Sequence, residues 1–249
     1  MNAILYVAGR ATRLGECTQG RNKVLLEFGG QSLFERHVML LARVHVPKLS
    51  VVTGHLREQF QAAFPALQSR YGVELEELYN ADFTEGSALS LHTSLPAIES
   101  AREGVLLMDG DVLYDGRLLE RLLESPHRTA LLVDRGYPTA DDDPVLVPMR
   151  KGKPFEFLKR WRGEADSIGE SAGFFKVGAA DLPLLIAETK ARASGPGRAE
   201  SYDEIIRALV KDGRFGAVDV TGVPWTEVDF PADIEYANRV IFPTLETGR

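Results

Sequence analysis

Two aspartates, Asp109 and Asp111, follow the apolar run Val105-Leu106-Leu107-Met108 and flank a single glycine. Two more acids, Glu227 and Asp229, alternate in PWTEVDFP near the end of the chain. Carboxylate oxygens are hard donors, and Mg²⁺ is held by one or two of them together with substrate phosphates. Asp-Gly-Asp is also an ordinary turn closed by an Asx hydrogen bond. Its position after a strand-like run, in a chain that begins with a cationic loop, favours the metal reading. Period-2 alternation puts Glu227 and Asp229 on the same side of an extended segment, so that Asp229 would reach the cation held by Asp111. Asp233 and Glu235, beyond Pro231, fall in an expected first helical turn, where the helix dipole accounts for them.

The cations that would face such a site lie in AILYVAGRATRLGECTQGRNKVLL, residues 3–26. The apolar run 3–8 reads as a buried strand that Gly9 breaks. A polar segment follows with Arg10, Arg13, Arg21 and Lys23 against one acid, Glu16, and the apolar run 24–28 ends it. A loop at the carboxyl end of a first strand lies where open α/β sheets bind ligands. Backbone N–H groups freed by a glycine turn, with several cations on one loop, make a polyphosphate cradle. Neither GxxxxGK[ST] nor GxGxxG is present.

The rest of the composition limits what this loop can serve. The 249 residues carry a net charge of −7, 44% hydrophobic and 26% charged side chains, an ordinary globular balance. An acidic chain is no general nucleic-acid binder, because phosphate contacts need a basic face. A local cluster of cations suits a small anionic ligand. The single cysteine, Cys17, forms no internal disulfide and offers no metal-ligand spacing, and the five histidines show none either. No secretory signal begins the chain, and no apolar run reaches the roughly 18 residues of a membrane span. We expect a cytoplasmic protein with no nucleic-acid or membrane partner, and leave a homodimer open.

The elements that must position these residues alternate through the first half. Strands are expected near 49–53, 73–78 and 105–108. Helices are expected after Ser32 as N-cap, over 57–70 despite Pro65, over 87–98 and over 117–123. Alternation of this kind means βαβ units and a parallel sheet. In the second half, strands near 129–133, 145–149, 155–159 and 171–177 are joined by short loops, with a turn at Lys151-Gly152-Lys153. Helices at 181–193 and 202–211 flank Gly195-Pro196-Gly197. Asp141-Asp142-Asp143 reads as a solvated loop. The whole, 1–249, reads as one α/β domain: a nucleotide-binding half to about 125, an acceptor lobe at about 126–215 and a return to the site over 216–249.

Val7 to Leu14, with Asn22-Lys23, resembles the nucleotidyltransferase signature L-A-A-G-x-G-x-R-[LM] followed by P-K. Ala11 stands where that signature has its second glycine. Asn22 stands where it has proline, which is expected to loosen the turn. With D-x-D after a strand and W-x-E-x-D-x-P near the end, the chain resembles the sugar nucleotidyltransferase-like (MobA-like NTP transferase) superfamily. It is most similar to the cytidylyltransferase branch acting on phosphocholine, inositol phosphate and phosphonates. The likeness covers most of the chain, best at 3–55, 79–115 and 215–240. It implies a Rossmann-like, mixed but mostly parallel sheet flanked by helices, CTP as substrate and Mg²⁺ as cofactor. It implies catalytic roles for Lys23 and Arg13 on the triphosphate, and metal binding by Asp111 and Asp229. Nucleotide contacts fall on Ala8, Gly9, Arg10, Ala11, Thr12 and Asp109. In the segment Asn80 to Leu89 they fall on Asn80, Gly86, which permits backbone approach, and Ser87, an expected N-cap. Phosphocholine-type relatives hold a quaternary ammonium with aromatic and acidic groups, which implies Glu170, Tyr202, Asp203 and Glu227 here, with Trp161 a further aromatic. The same residues also fit core aromatics and solvated acids. The implied reaction is attack of an acceptor phosphate or phosphonate oxygen on the α-phosphorus of CTP, releasing pyrophosphate. A sugar-1-phosphate nucleotidyltransferase using UTP, dTTP or GTP, and a non-catalytic nucleotide-binding regulator, remain as alternatives.

Overall fold

The computed structural model describes residues 1–136 and 144–245; Asp141–Asp143 lie outside the described residues. Strand β1 (Asn2–Tyr6), the short hairpin β2 (Glu27–Phe28) and β3 (Gln31–Ser32), then β4 (Lys48–Thr53), β5 (Glu74–Tyr79) and β6 (Gly104–Asp109) make up the first half. Strands β6-β1-β4-β5 lie side by side and parallel. The inner strands β1 and β6 read as near-continuous apolar runs because both their faces are covered, whereas the edge strand β5 is rich in glutamate and half-exposed. In β6, Leu106 and Met108 enter one core while Val105 and Leu107 enter the other, as the pleat requires. Helices α1 (Leu33–Arg43) and α2 (Arg57–Tyr71) cover the first face; α3 (Ser87–Thr93) and α4 (Leu95–Glu99) cover the second.

Several expectations change in detail. Ser32 caps α1 by accepting the Glu35 N–H at 3.1 Å. Ser87 does not cap α3: Gly86 holds that position, and the Ser87 hydroxyl accepts the Tyr202 N–H at 2.9 Å. The single helix expected over 87–98 divides at Ser94, ahead of Pro96, which has no N–H for the ladder.

The second half supplies β7 (Val112–Tyr114), α5 (Arg117–Glu124), β8 (Ala130–Asp134), β9 (Leu146–Arg150), β10 (Lys153–Pro154) and the long β11 (Ser167–Gly178). After them come α6 (Leu182–Ala193), α7 (Asp203–Lys211), β12 (Gly216–Asp219), β13 (Trp225–Glu227) and α8 (Pro231–Tyr236). β11 runs antiparallel to β6 and carries β8 and β9 alongside, so the described sheet has nine strands and is mixed. The strand expected at 155–159 is absent. Leu158 only exchanges a pair of hydrogen bonds with Leu146, and Phe155 turns onto Trp161 at 5.5 Å. No helix among the described residues is long and apolar enough to cross a membrane.

Candidate active site

β1 and β6 are parallel neighbours with Tyr6 opposite Asp109, so the cationic loop and the Asp-Gly-Asp turn leave the sheet side by side. Gly110 has no room for a side chain. A Cβ there would lie 2.7 Å from Val7 Cγ1 and 2.8 Å from the Tyr6 carbonyl oxygen, which accepts the Gly110 N–H. β7 then pairs antiparallel with β13, setting Glu227 opposite Val112, and the Val228 N–H reaches the Asp111 carbonyl at 2.9 Å. This pairing brings Asp229 to Asp111. Lys23 joins them: its Nζ contacts Asp111 Oδ2 and lies 2.5 Å from Asp229 Oδ1. Arg13 reaches Asp229 Oδ2 at 3.3 Å, its guanidinium 5.2 Å from the Phe230 ring centroid.

Asn22 tightens the loop rather than loosening it. Fully buried, it donates its side-chain amide to the Val7 and His55 carbonyls at 3.1 and 3.2 Å, and its Oδ1 accepts the Val24 N–H. The last of these bonds caps the 3₁₀ turn Lys23–Leu25 that carries the lysine. Ala11 adopts φ 51°, the left-handed region that a glycine takes freely and an alanine at a cost of about 1 kcal/mol.

Charge is unevenly shared. Burial alone would lower the Lys23 ammonium, but Asp111 and Asp229 outweigh it and hold the group protonated above its usual range. Burial pushes Asp229 up, but Lys23, Arg13 and Lys159 pull it below the ordinary carboxylate value. Asp109 and Glu227 are pushed well above it, first by burial and then by Asp111 and the other nearby acids. Asp109 accepts the Tyr202 hydroxyl at 2.5 Å. Its other oxygen fills the space beside Gly173, where a Cβ would sit 2.4 Å from it. Gly173 has φ +71° and lies in the stretch of β11 where the pairing register with β8 shifts.

Two cavities border this cluster, one at Lys23 and Asp111 and the other at Asp229. One, of about 210 Å³, is lined by Ala8, Gly9, Lys23, Gly86, Ser87, Asp109, Asp111 and Tyr202, with Tyr6 and Phe83 among its apolar walls. The other, of about 520 Å³, is lined by Asp134, Glu170, Trp225, Glu227, Asp229, Phe230 and Tyr236. Among the expected acceptor residues, Glu170 and Glu227 face the larger cavity. Tyr202 does not: it is buried, stacks on Tyr6 at 5.3 Å and forms part of the smaller cavity's wall. Asp203 turns back on Ser201, whose hydroxyl donates to its carboxylate at 2.8 Å, and Trp161 packs on Phe155; neither lines a cavity described here. Asn80 is buried too, bonding Ser90 and the Asp82 N–H. Gly86 is required by residues 198–200, whose carbonyls would lie 2.5 Å from a Cβ. Arg10 and Thr12 are exposed on the loop outside the cavity lining.

Asp134, which accepts the Trp225 indole N–H at 2.9 Å, and Lys159 carry no sequence signal, because only the strand pairing brings them here. Among the described residues no group of three or more His, Cys, Asp or Glu is disposed to hold a metal ion. Asp111 and Asp229 nevertheless meet at one ammonium. Two hard donors converging on one cationic centre fit Mg²⁺, whose shell is otherwise completed by phosphates and water.

Residues 3–173 match the family model of the MobA-like NTP transferase domain. The CMP-5'-(3-aminopropyl)phosphonate synthase of Streptomyces rubellomurinus is 28% identical over 265 residues, covering 100% of this chain and 40% of that protein. A bifunctional IPC transferase and DIPP synthase of Rubrobacter xylanophilus is 28% identical over 251 residues, covering 100% of this chain and 53% of that protein. The chain thus spans about half the length, or less, of these relatives. The solved structure of the inositol-1-phosphate CTP transferase from T. maritima superposes with a TM-score of 0.75 at 21% identity, covering 93% of this chain and 90% of that one. That likeness shows the Rossmann-like nucleotidyltransferase fold.

Proposed function

The chain belongs to the MobA-like NTP transferase family, and on that premise we propose that it transfers CMP from CTP to a small phosphorylated or phosphonylated acceptor, releasing pyrophosphate. The observation that carries the reading is the Lys23 ammonium joined to Asp111, on the wall of the smaller cavity, and to Asp229, on the wall of the larger. The smaller cavity, beside the Gly9 loop, takes the nucleotide, and the larger takes the acceptor. Lys23, kept charged by its two carboxylates, and Arg13 orient the triphosphate and offset charge developing as pyrophosphate leaves. The acceptor oxygen is already anionic near neutral pH, so no side chain need remove a proton; alignment is the main task. Asp111 and Asp229 would hold Mg²⁺, which supplies charge neutralisation on the phosphates.

The larger cavity pairs the acids Glu170 and Glu227 with the aromatics Trp225, Phe230 and Tyr236. That pairing suits an acceptor with a cationic end, and the product named for the Streptomyces relative carries an amine. The test sets CTP against UTP, GTP, ATP and dTTP, with phosphocholine, aminoethylphosphonate, inositol phosphate and hexose-1-phosphates, and measures pyrophosphate release. CTP with an amine-bearing phosphonate or phosphate should be best. A hexose-1-phosphate with UTP or dTTP as the best pair would replace this reading, and no release with any pair would favour a non-catalytic nucleotide binder.

A further inference from the structure

His37 lies on α1, remote in sequence from the acids, and is fully buried. Its Nε2 lies 3.0 Å from the carbonyl oxygen of Gly110, between the two aspartates, and its Nδ1 lies 3.3 Å from the Tyr114 hydroxyl. A carbonyl can only accept, so the ring hydrogen is on Nε2. Nδ1 is then the bare nitrogen, and the Tyr114 hydroxyl donates to it. Burial lowers the imidazole to about 4, which keeps the ring in this neutral form.

The carbonyl of Gly110 belongs to the same planar peptide as the nitrogen and Cα of Asp111. Holding that oxygen therefore orients the unit from which the Asp111 carboxylate projects. The turn has four other anchors: the Gly110 N–H on Tyr6, the Asp111 carbonyl on Val228, the Asp109 carboxylate on Tyr202, and the Asp111 carboxylate on Lys23. None of them fixes the Gly110 oxygen. We infer that His37 is a positioning residue: its bond to Gly110, backed by Tyr114, aims Asp111 at the metal and so sets the metal affinity of the site. This rests on the reading of Asp111 and Asp229 as the metal-holding pair.

The experiment measures Mn²⁺ binding by electron paramagnetic resonance in the presence of CTP, alongside kcat, the KM for CTP and thermal stability. It compares wild type with His37→Leu, His37→Gln, Tyr114→Phe and Asp111→Asn. His37→Leu should weaken Mn²⁺ binding and lower kcat, each roughly tenfold, as removal of a partner behind a metal ligand does. The KM for CTP at saturating metal should stay within about threefold, since Lys23 and the Gly9 loop are untouched. Glutamine presents a donor at similar reach, so His37→Gln should recover most of both losses. A folded but less stable His37→Leu with unaltered Mn²⁺ affinity and kcat would reduce His37 to a packing residue. Should His37→Leu fail to fold, Tyr114→Phe decides. It keeps the ring and loses the hydroxyl, so Mn²⁺ binding weakened by about threefold supports the inference and unchanged binding overturns it. Unchanged Mn²⁺ binding in Asp111→Asn removes the metal reading and this inference together. Loss there with no effect in the His37 and Tyr114 variants removes the inference alone.

Discussion

An ammonium wedged between two carboxylates cannot be lost without exposing both to mutual repulsion, and Lys23 is in that position. Lys23→Ala should lower kcat/KM by about 10²–10³, the size of effect seen when a preorganised donor to developing charge is removed. Arg13→Ala should act similarly, mainly through triphosphate binding. Steady-state kinetics with varied CTP would show this, and losses below about threefold for both would place the triphosphate elsewhere. Exposed Cys17 should tolerate serine with little change. His37 makes a separate claim about pH. Its folded value of about 4, against 6.5 for an unperturbed ring, means that the unfolded chain takes up the proton first on acidification. Stability linked to this ring is fully present above about 6.5 and is lost as pH falls towards about 4, on the order of 3 kcal/mol for a fully buried group. The stability advantage of wild type over His37→Gln, from urea unfolding, should shrink by that amount across the interval. A pH-independent advantage would contradict it.

Two local devices hold the site at the scale of its elements. Asn22 ties the cationic loop to the ends of β1 and β4 by two side-chain bonds, and accepts the Val24 N–H within the loop by a third, in a buried setting. Asn22→Ala leaves those partners unsatisfied and should destabilise the fold by about 3 kcal/mol, read from thermal or urea unfolding. Gly173→Ala places a Cβ against the Asp109 carboxylate at a left-handed position. It should lower kcat by roughly tenfold to hundredfold through misplacement of the turn, whereas a fully active variant would show that Asp109 can move freely. The strands feeding this region are legible in the sequence because β1 and β6 are buried on both faces and read as apolar runs, and β4 is rich in β-branched residues and closed by Gly54. The segment 155–159 alternates apolar and charged residues over Phe155-Glu156-Phe157 as a strand would but makes only one bridge; Phe155 packs on the loop residue Trp161, while Phe157 enters the core against Phe175 of β11. Side-chain type alone cannot separate those outcomes. The tightening role of Asn22 is hidden for a related reason, since the carbonyls its amide holds belong to residues 7 and 55 and come to it only when the chain is folded.

Across the whole molecule, the β7–β13 pairing carries the C-terminal acids to the Asp-Gly-Asp turn and places Glu227 and Asp229 on the wall of the larger cavity. The two acid motifs were visible in the sequence, each after an extended run, and the structure brings Asp111 and Asp229 onto one lysine. The wall of the larger cavity was visible only in part. Glu170 and Glu227 lie on it, but Asp134 arrives through the β8–β11 pairing, and Tyr202, expected there, is drawn to the other side by Asp109 and Tyr6. The most direct test of the shared site is a Mg²⁺ titration of pyrophosphate release from CTP and the best acceptor, run in parallel on wild type, Asp111→Ala and Asp229→Ala. Wild type should release none without the metal and rise to saturation, while both variants, folded by circular dichroism, should stay near background throughout. Near-normal release by Asp111→Ala at ordinary Mg²⁺, or release by wild type in the presence of a chelator, would contradict it.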